Sequence, residues 1–263
     1  MPPCPARTRI LLALAAALSL AACSEAPEPT AQTEAATQTP PQSAAPVDEP
    51  SRTESDAAAS AALALLTDEY FQAYLKANPI AATSLGDDRY NDRLVNYLDP
   101  ANRAERLAEE QAFLDRALEI DRADLTPSEQ ITYDVFVYGR REKIEGFAYP
   151  EHLLPLSQFF SLPSFMAQLG SGQSLHPFVT TKDYRDWLSR LEDYLEIQSQ
   201  MITNMREGMK QGIVQPRVIM EKALPQLDAL AVGNVDDSLF FNPVRNFPDT
   251  VPVEDRAALE ADY

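Results

Sequence analysis

The sequence predicts a mainly α body joined to an N-terminal stretch with no core of its own. Three observations carry that prediction. From about Ala61 onward apolar residues recur at helical spacing, and several prolines stand where helices begin. No segment alternates convincingly as a strand; the one short candidate, Gly212 to Gln215, is too brief to decide. All of the 11 Phe, 10 Tyr and single Trp lie at Tyr70 or later, which leaves one ordinary domain of roughly 200 residues able to bury a core.

Charge narrows the class of partner. Asp and Glu number 40 against 22 Lys and Arg, a net −18, and no basic cluster interrupts the excess. Nucleic acid is not expected as a partner, because basic side chains supply the phosphate neutralisation on which such binding depends.

Arg7 and Arg9 precede an apolar run from Ile10 to Ala22 that ends Leu20-Ala21-Ala22-Cys23. As a helix this run spans about 20 Å, short of the ~30 Å hydrocarbon layer, so residues 1–22 read as an export signal rather than a membrane span. Leu-Ala-Ala-Cys resembles the bacterial lipobox, in which cleavage leaves the cysteine first and its thiol carries a diacylglyceryl group. Cys23 is therefore the expected lipidation site and the membrane the partner reached through it; two or three acyl chains hold stably where one does not. Ser24 follows rather than Asp, a pattern similar to lipoproteins sent to the outer membrane. The expected location is the cell envelope, lipid-anchored at the outer membrane and facing the periplasm. Cleavage also removes Cys4, which leaves no free cysteine as nucleophile, zinc ligand or disulfide partner.

Residues 23–60 hold Pro27, Pro29, Pro40, Pro41, Pro46 and Pro50 among Ala, Thr, Gln and Ser, with no Gly or aromatic residue. Such a segment cannot bury enough apolar surface to fold, and it reads as a disordered, stiffish tether reaching at least ~30 Å. Residues 61–263 form the expected helical domain. Leu63, Leu66, Tyr70, Tyr74 and Ala77 mark one face of its first helix, which Pro79 stops. Asp99-Pro100 starts a second, with a stripe through Leu107, Leu114, Ala117 and Leu118. Thr126-Pro127-Ser128-Glu129 has capping-box spacing ahead of Ile131, Val135 and Tyr138, and Gly146 closes that helix. The longest helix opens at Thr180, with Asp183 three residues on, and runs through Tyr184, Trp187, Tyr194, Met201 and Met209 to stops at Gly208 and Gly212. Its aromatic and Met stripe reads as core rather than as a ligand box. Pro216 opens a further helix that Pro225 interrupts or kinks. Pro252 with Glu254 and Asp255 starts a last one, which stops uncapped at Tyr263 after the apolar, irregular Phe240 to Phe247 stretch. That stretch needs a cover, and the domain is expected to be truncated at its C-terminal end.

Chemistry-bearing motifs are sparse. His152 and His176 are the two histidines; neither has a Glu or second His at i+4, so loop or capping roles are expected and zinc is not. Gly170-Ser171-Gly172 lacks the Gly-x-Ser-x-Gly pattern and reads as a turn. The carboxylate pairs Glu142 with Glu145, Asp183 with Asp186, and Glu192 with Glu196 are the helix-surface pairs that 40 acids produce by chance. Phosphate loops and dinucleotide fingerprints are absent.

Several segments nevertheless resemble a known family. They are Tyr70 to Pro79, Ala82-Thr83-Ser84-Leu85-Gly86-Asp87, Arg89-Tyr90-Asn91-Asp92-Arg93-Leu94, Leu154-Pro155-Leu156-Ser157-Gln158-Phe159, Asp183-Tyr184 with Arg190-Leu191, and Met205-Arg206-Glu207-Gly208 with Gly212. In this order they resemble the N-terminal half of the bacterial domain of unknown function 885 family, over roughly Leu65 to Tyr263. The family includes envelope lipoproteins, is similar to helical zinc metallopeptidases, and carries a His-Glu-x-x-Pro-Gly-His-His type of motif in its C-terminal half. Full-length members are about twice as long, and there the motif Glu activates a zinc-bound water for attack on a peptide carbonyl. This chain has no His-Glu dipeptide, so no catalytic, cofactor or metal position carries over, and zinc is expected only in a full-length relative. The resemblance implies an N-terminal portion that is inactive by itself and walls a cleft for a peptide substrate. Gly86, Asp87, Arg89 and Tyr90 are the candidate cleft or turn residues: Gly86 for its backbone freedom, Asp87 for capping, Arg89 for pairing with nearby acids. The alternative is a complete, non-catalytic binding or scaffold lipoprotein of the envelope.

Overall fold

Capping residues and prolines set the helix starts. The computed structural model describes residues 53–263, so the export signal, Cys23 and nearly all of the tether lie outside the described residues. Helix α1 (Glu54–Ala77) begins where the Thr53 hydroxyl accepts from the Asp56 N–H and the Asp56 carboxylate accepts from the Thr53 N–H. Residues 54–60, assigned above to the tether, are therefore helical. Alanine favours helix strongly while adding little to an apolar stripe, so a reading by periodicity starts the helix too late.

Helix α2 (Pro79–Ser84) follows at once with Pro79 in its first turn. The Asp99 carboxylate accepts from the Ala101 and Asn102 N–H groups to cap α3 (Pro100–Leu118). A Thr126–Glu129 capping box opens α4 (Pro127–Gly146), and Ser161 caps α5 (Leu162–Leu169). Helix α6 (Thr181–Gln211) has a Thr180–Asp183 capping box and ends at Gly212, whose φ of 73° is left-handed. Gly208, expected as a stop, lies inside α6. Helix α7 (Arg217–Asp228) accommodates Pro225 near its C-terminal end, and α8 (Asn242–Arg245) and α9 (Val253–Asp262) complete the order. Among the described residues there are nine α-helices and no strand, with Gly212 to Gln215 irregular, so the chain is mainly α. No described helix is long and apolar enough to cross a membrane.

Three packed groups hold the helices. Helices α1, α3 and α4 share Leu66, Phe113, Leu114, Ala117, Phe136 and Val137 around the Tyr70 ring. Glu110 and Arg140 are ion-paired there at 2.7 Å with both side chains 9% exposed, and the Arg140 guanidinium lies 3.5 Å over Tyr70. Tyr74, expected on the α1 core face, is at its exposed edge, and Leu75 is buried instead. The stripe expected for α4 is also corrected: Ile131, Val135 and Tyr138 are each about two-thirds exposed. Phe136, Val137 and Arg140 face inward, because that face carries both a large ring and the partner for buried Glu110.

The second group centres on α6, whose Trp187, Tyr194, Ile197 and Met201 pack on Leu98, Leu156, Leu162, Met166 and Leu169; the expected stripe is core only in part, because Met209 at its far end is 70% exposed. The third joins Tyr184 to Val244, Val251 and Leu259. It also corrects the expectation that the Phe240 to Phe247 stretch lacks a cover. Phe240 stacks 6.4 Å from Trp187, and Phe247 lies 5.1 Å from the Tyr184 ring, so α6 and α9 supply the cover from within the chain.

Candidate functional site

Two loops lean on α6, each fastened by one buried side chain. The first is the turn after α2, which brings Gly86, Asp87, Arg89 and Tyr90 together. Gly86 has φ 80°, a region that side-chain-bearing residues resist. The Asp87 carboxylate accepts from the Arg89 N–H at 3.1 Å and from its Nε at 2.9 Å, and Arg89 Nη2 donates to Gln72 Oε1 on α1 at 2.8 Å. That bonding to Arg89 holds the Asp87 carboxyl below the usual carboxylate range. The Tyr90 ring has the Arg89 and Arg93 guanidinium carbons 5.3 and 5.8 Å from its centre, and Arg93 pairs with Asp92.

Beneath the turn lies Arg190 of α6, 0% exposed. It donates to the Arg93 carbonyl from Nε (3.2 Å), and from Nη2 to the Tyr90 carbonyl (2.9 Å) and the Thr83 hydroxyl (3.0 Å). Its Nη1 donates to His176 Nδ1 at 3.1 Å, which makes Nε2 the protonated ring nitrogen, donating to the Asp183 carbonyl at 2.9 Å. Burial pushes the His176 pKa down to about 4, and the neighbouring Arg190 adds to the effect, so the ring is neutral at physiological pH. Burial likewise draws Arg190 down to about 10. His176 is in a loop, as expected, but works as a buried polar anchor.

The other motifs resolve into structure. Asp183 caps α6 and Asp186 pairs with Lys182, so these two carboxylates have separate tasks. The Ser171 hydroxyl donates to the Gln168 carbonyl at 2.7 Å, and a Cβ on Gly170 would sit 2.2 Å from the Trp187 ring. Gly170-Ser171-Gly172 is thus a turn that Trp187 requires to be small.

The second loop region forms a pocket. Asn204 of α6, 6% exposed, donates from one amide to both the Leu98 carbonyl and the His152 carbonyl, each at 3.1 Å, while Gln200 donates to its oxygen at 2.8 Å. Four residues along α6, a Cβ on Gly208 would stand 3.2 Å from the Leu153 carbonyl oxygen and 2.5 Å from that of Ile213. Glycine there lets the 151–156 segment approach the helix closely. The walls so placed border an open pocket of about 590 Å³, lined by Tyr97, Leu98 and Arg103 and by His152, Leu154, Pro155 and Phe160. Leu154, Pro155 and Ser157 of this wall belong to a segment that carries the family resemblance.

The Ser157 hydroxyl is taken up by its own turn, but the two basic side chains of the pocket are largely unused. Among the described residues Arg103 enters no ion pair; its guanidinium lies 5.3 Å over the Phe147 ring and makes one long bond, 3.5 Å, to the Phe147 carbonyl. His152 Nδ1 is buried without a hydrogen-bond partner, and burial, with Arg103 nearby, lowers the pKa of that ring. Sequence reading missed Tyr97, Arg103 and Asn204, since none belongs to a motif. The Leu154 to Phe159 segment pointed at the wall but not at its chemistry.

The donor set does not fit the zinc that the resemblance implies for full-length relatives. Both His176 nitrogens are engaged, His152 belongs to the other region, and among the described residues no three His, Cys, Asp or Glu side chains are grouped to hold a metal.

No curated protein and no solved structure matches the chain. The model of a bacterial protein family of unknown function, DUF885, matches residues 79–263, a span that takes in the turn, the pocket walls and all of α6. On that match, the chain belongs to the DUF885 family of bacterial proteins of unknown function.

Proposed function

We propose that this chain is the substrate-binding part of an envelope-anchored, peptidase-like protein, held to the membrane through Cys23 and without a hydrolytic centre of its own. The observation that carries this reading is the pocket beside α6: it is large enough for a small ligand, its walls are pinned by Asn204, and its Arg103 and His152 have polar capacity that the fold leaves unspent. The Gly86 to Tyr90 turn serves this role indirectly. Asp87 is taken up by Arg89, and Asp92 just beyond it by Arg93, so the turn frames a cleft rather than grips a substrate.

Short peptides added to the purified chain should bind saturably and come back intact by mass spectrometry, with or without added zinc. Cleavage at a rate proportional to chain concentration would overturn the inactive part of the reading, and absence of binding by every peptide would overturn the rest. Cys23→Ala should move the protein from the membrane fraction to the soluble periplasmic fraction. A non-catalytic binding lipoprotein is the second reading, and the internal packing of Phe240 and Phe247 favours it by removing one reason to require a further cover there.

A further inference from the structure

We propose that the pocket between the first turn of α3 and the 151–160 segment takes the carboxylate end of an apolar ligand, with Arg103 as the carboxylate-binding residue. The source is an N-acylated amino acid or the C-terminus of a peptide, and the two share that chemistry. The proposal rests on the preceding reading only in naming a peptide as one source.

Size comes first. A cavity of about 590 Å³ holds one or two residues of a peptide comfortably. Its lining is mostly apolar, from buried Leu98 and Pro155 to the half-open rings of Tyr97 and Phe160 at 37% and 55% exposure. Such walls suit an aliphatic or aromatic side chain and leave a few polar groups to set its orientation.

Charge then selects the head group. The Arg103 guanidinium is planar, permanently charged and without a carboxylate partner among the described residues, and its stacking on Phe147 leaves edge donors free for a bidentate acceptor. His152 Nδ1 is a second polar atom with no partner, and the Gln215 amide lies on the same wall. Glu151 also lines the pocket. The unpaired Arg103 guanidinium supplies one positive charge, enough for a single negative charge on the ligand; a phosphate, carrying nearly two, meets stronger repulsion from Glu151 and from a chain of net charge −18. A monoanion with an apolar neighbour fits what is there.

Calorimetric titration of the full chain tests this with four probes: N-acetylphenylalanine, its amide, a tetraalanyl-phenylalanine peptide with a free carboxylate, and the same peptide amidated. Both acids should bind at least about tenfold tighter than their amides. Arg103→Gln should bring the acids down to the amides and leave amide affinity and thermal unfolding unchanged; Arg103→Lys, which keeps the charge without the fork, should fall between. Equal affinity of acid and amide, or an Arg103→Gln chain that still prefers the acid, overturns the proposal. A peptide acid much tighter than the acetylated amino acid identifies a peptide terminus as the source, and equal affinity identifies the free acid; either upholds it. If only the amidated peptide binds, the carboxylate site is refuted while the peptide-binding reading stands. If nothing binds, both fail.

Discussion

The turn at Gly86 and the pocket at Arg103 are built alike and finished differently. Each is a loop region fastened to α6 by one buried polar side chain, Arg190 in the first and Asn204 in the second. In the turn, Asp87 meets Arg89, Asp92 meets Arg93, and the Arg190 donors meet carbonyls, a hydroxyl and a ring nitrogen. In the pocket, Arg103 keeps a single long bond and His152 Nδ1 has none. A buried polar group that finds its partner inside the fold explains the fold. One that is left over beside an open pocket, as His152 Nδ1 is, can take a partner from outside, which is why the less motif-like of the two regions is the better binding site.

The contrast makes the turn the place where stability should break. Arg190→Met strips donors from His176, Thr83 and two carbonyls in one step, and should cost about 3–5 kcal/mol in urea unfolding. A loss under about 1 kcal/mol would mean that the turn is held by something else. Acid attacks the same network through His176. Its folded pKa of about 4 lies below the ordinary 6.5, so the stability it supports is whole above pH 6.5 and is lost as pH falls toward 4, by roughly 3 kcal/mol in all. Nitrogen-detected NMR of the two histidine rings checks this directly: the His176 ring should stay neutral, protonated on Nε2, until near pH 4.

The pocket should respond to smaller insults and with a different readout. Asn204→Leu leaves the Leu98 and His152 carbonyls without their shared donor and should cost about 2 kcal/mol, with ligand affinity falling alongside stability. Gly86→Ala meets no atom within 4 Å, so its cost is backbone strain alone, about 1 kcal/mol by thermal unfolding, with the pocket unaffected. Arg103→Gln should stay within about 0.5 kcal/mol of the parent chain, because no described acid depends on Arg103. A large loss there would erase the distinction between the two regions.

Helix starts were legible in the sequence because their signals are local. Thr126 with Glu129, Thr180 with Asp183, and Asp99 before Pro100 each satisfy backbone groups within a few residues. Which face of a helix turns inward was less legible. Ile131, Val135 and Tyr138 make as regular a stripe as Phe136, Val137 and Arg140, and the choice is made on α3, where Glu110 waits for an arginine. The candidate site was half legible. Gly86 and Asp87 showed their backbone roles, whereas the pocket depends on Asn204 reaching two carbonyls more than 50 residues away in sequence, which no local pattern records.

The two fastenings on α6 stand about 14 residues apart, which is roughly 21 Å of helix and almost a whole number of turns. Arg190 and Asn204 therefore point from nearly the same side, and α6 acts as a ruler with a mark at each end. Side chains between the marks can be exchanged wherever they only fill space. A single residue inserted or removed there would swing one mark about 100° around the axis and unhook one loop while leaving the other in place. Length in that interval is thus a stricter requirement than identity, and the turn and the pocket can drift in composition but not in spacing.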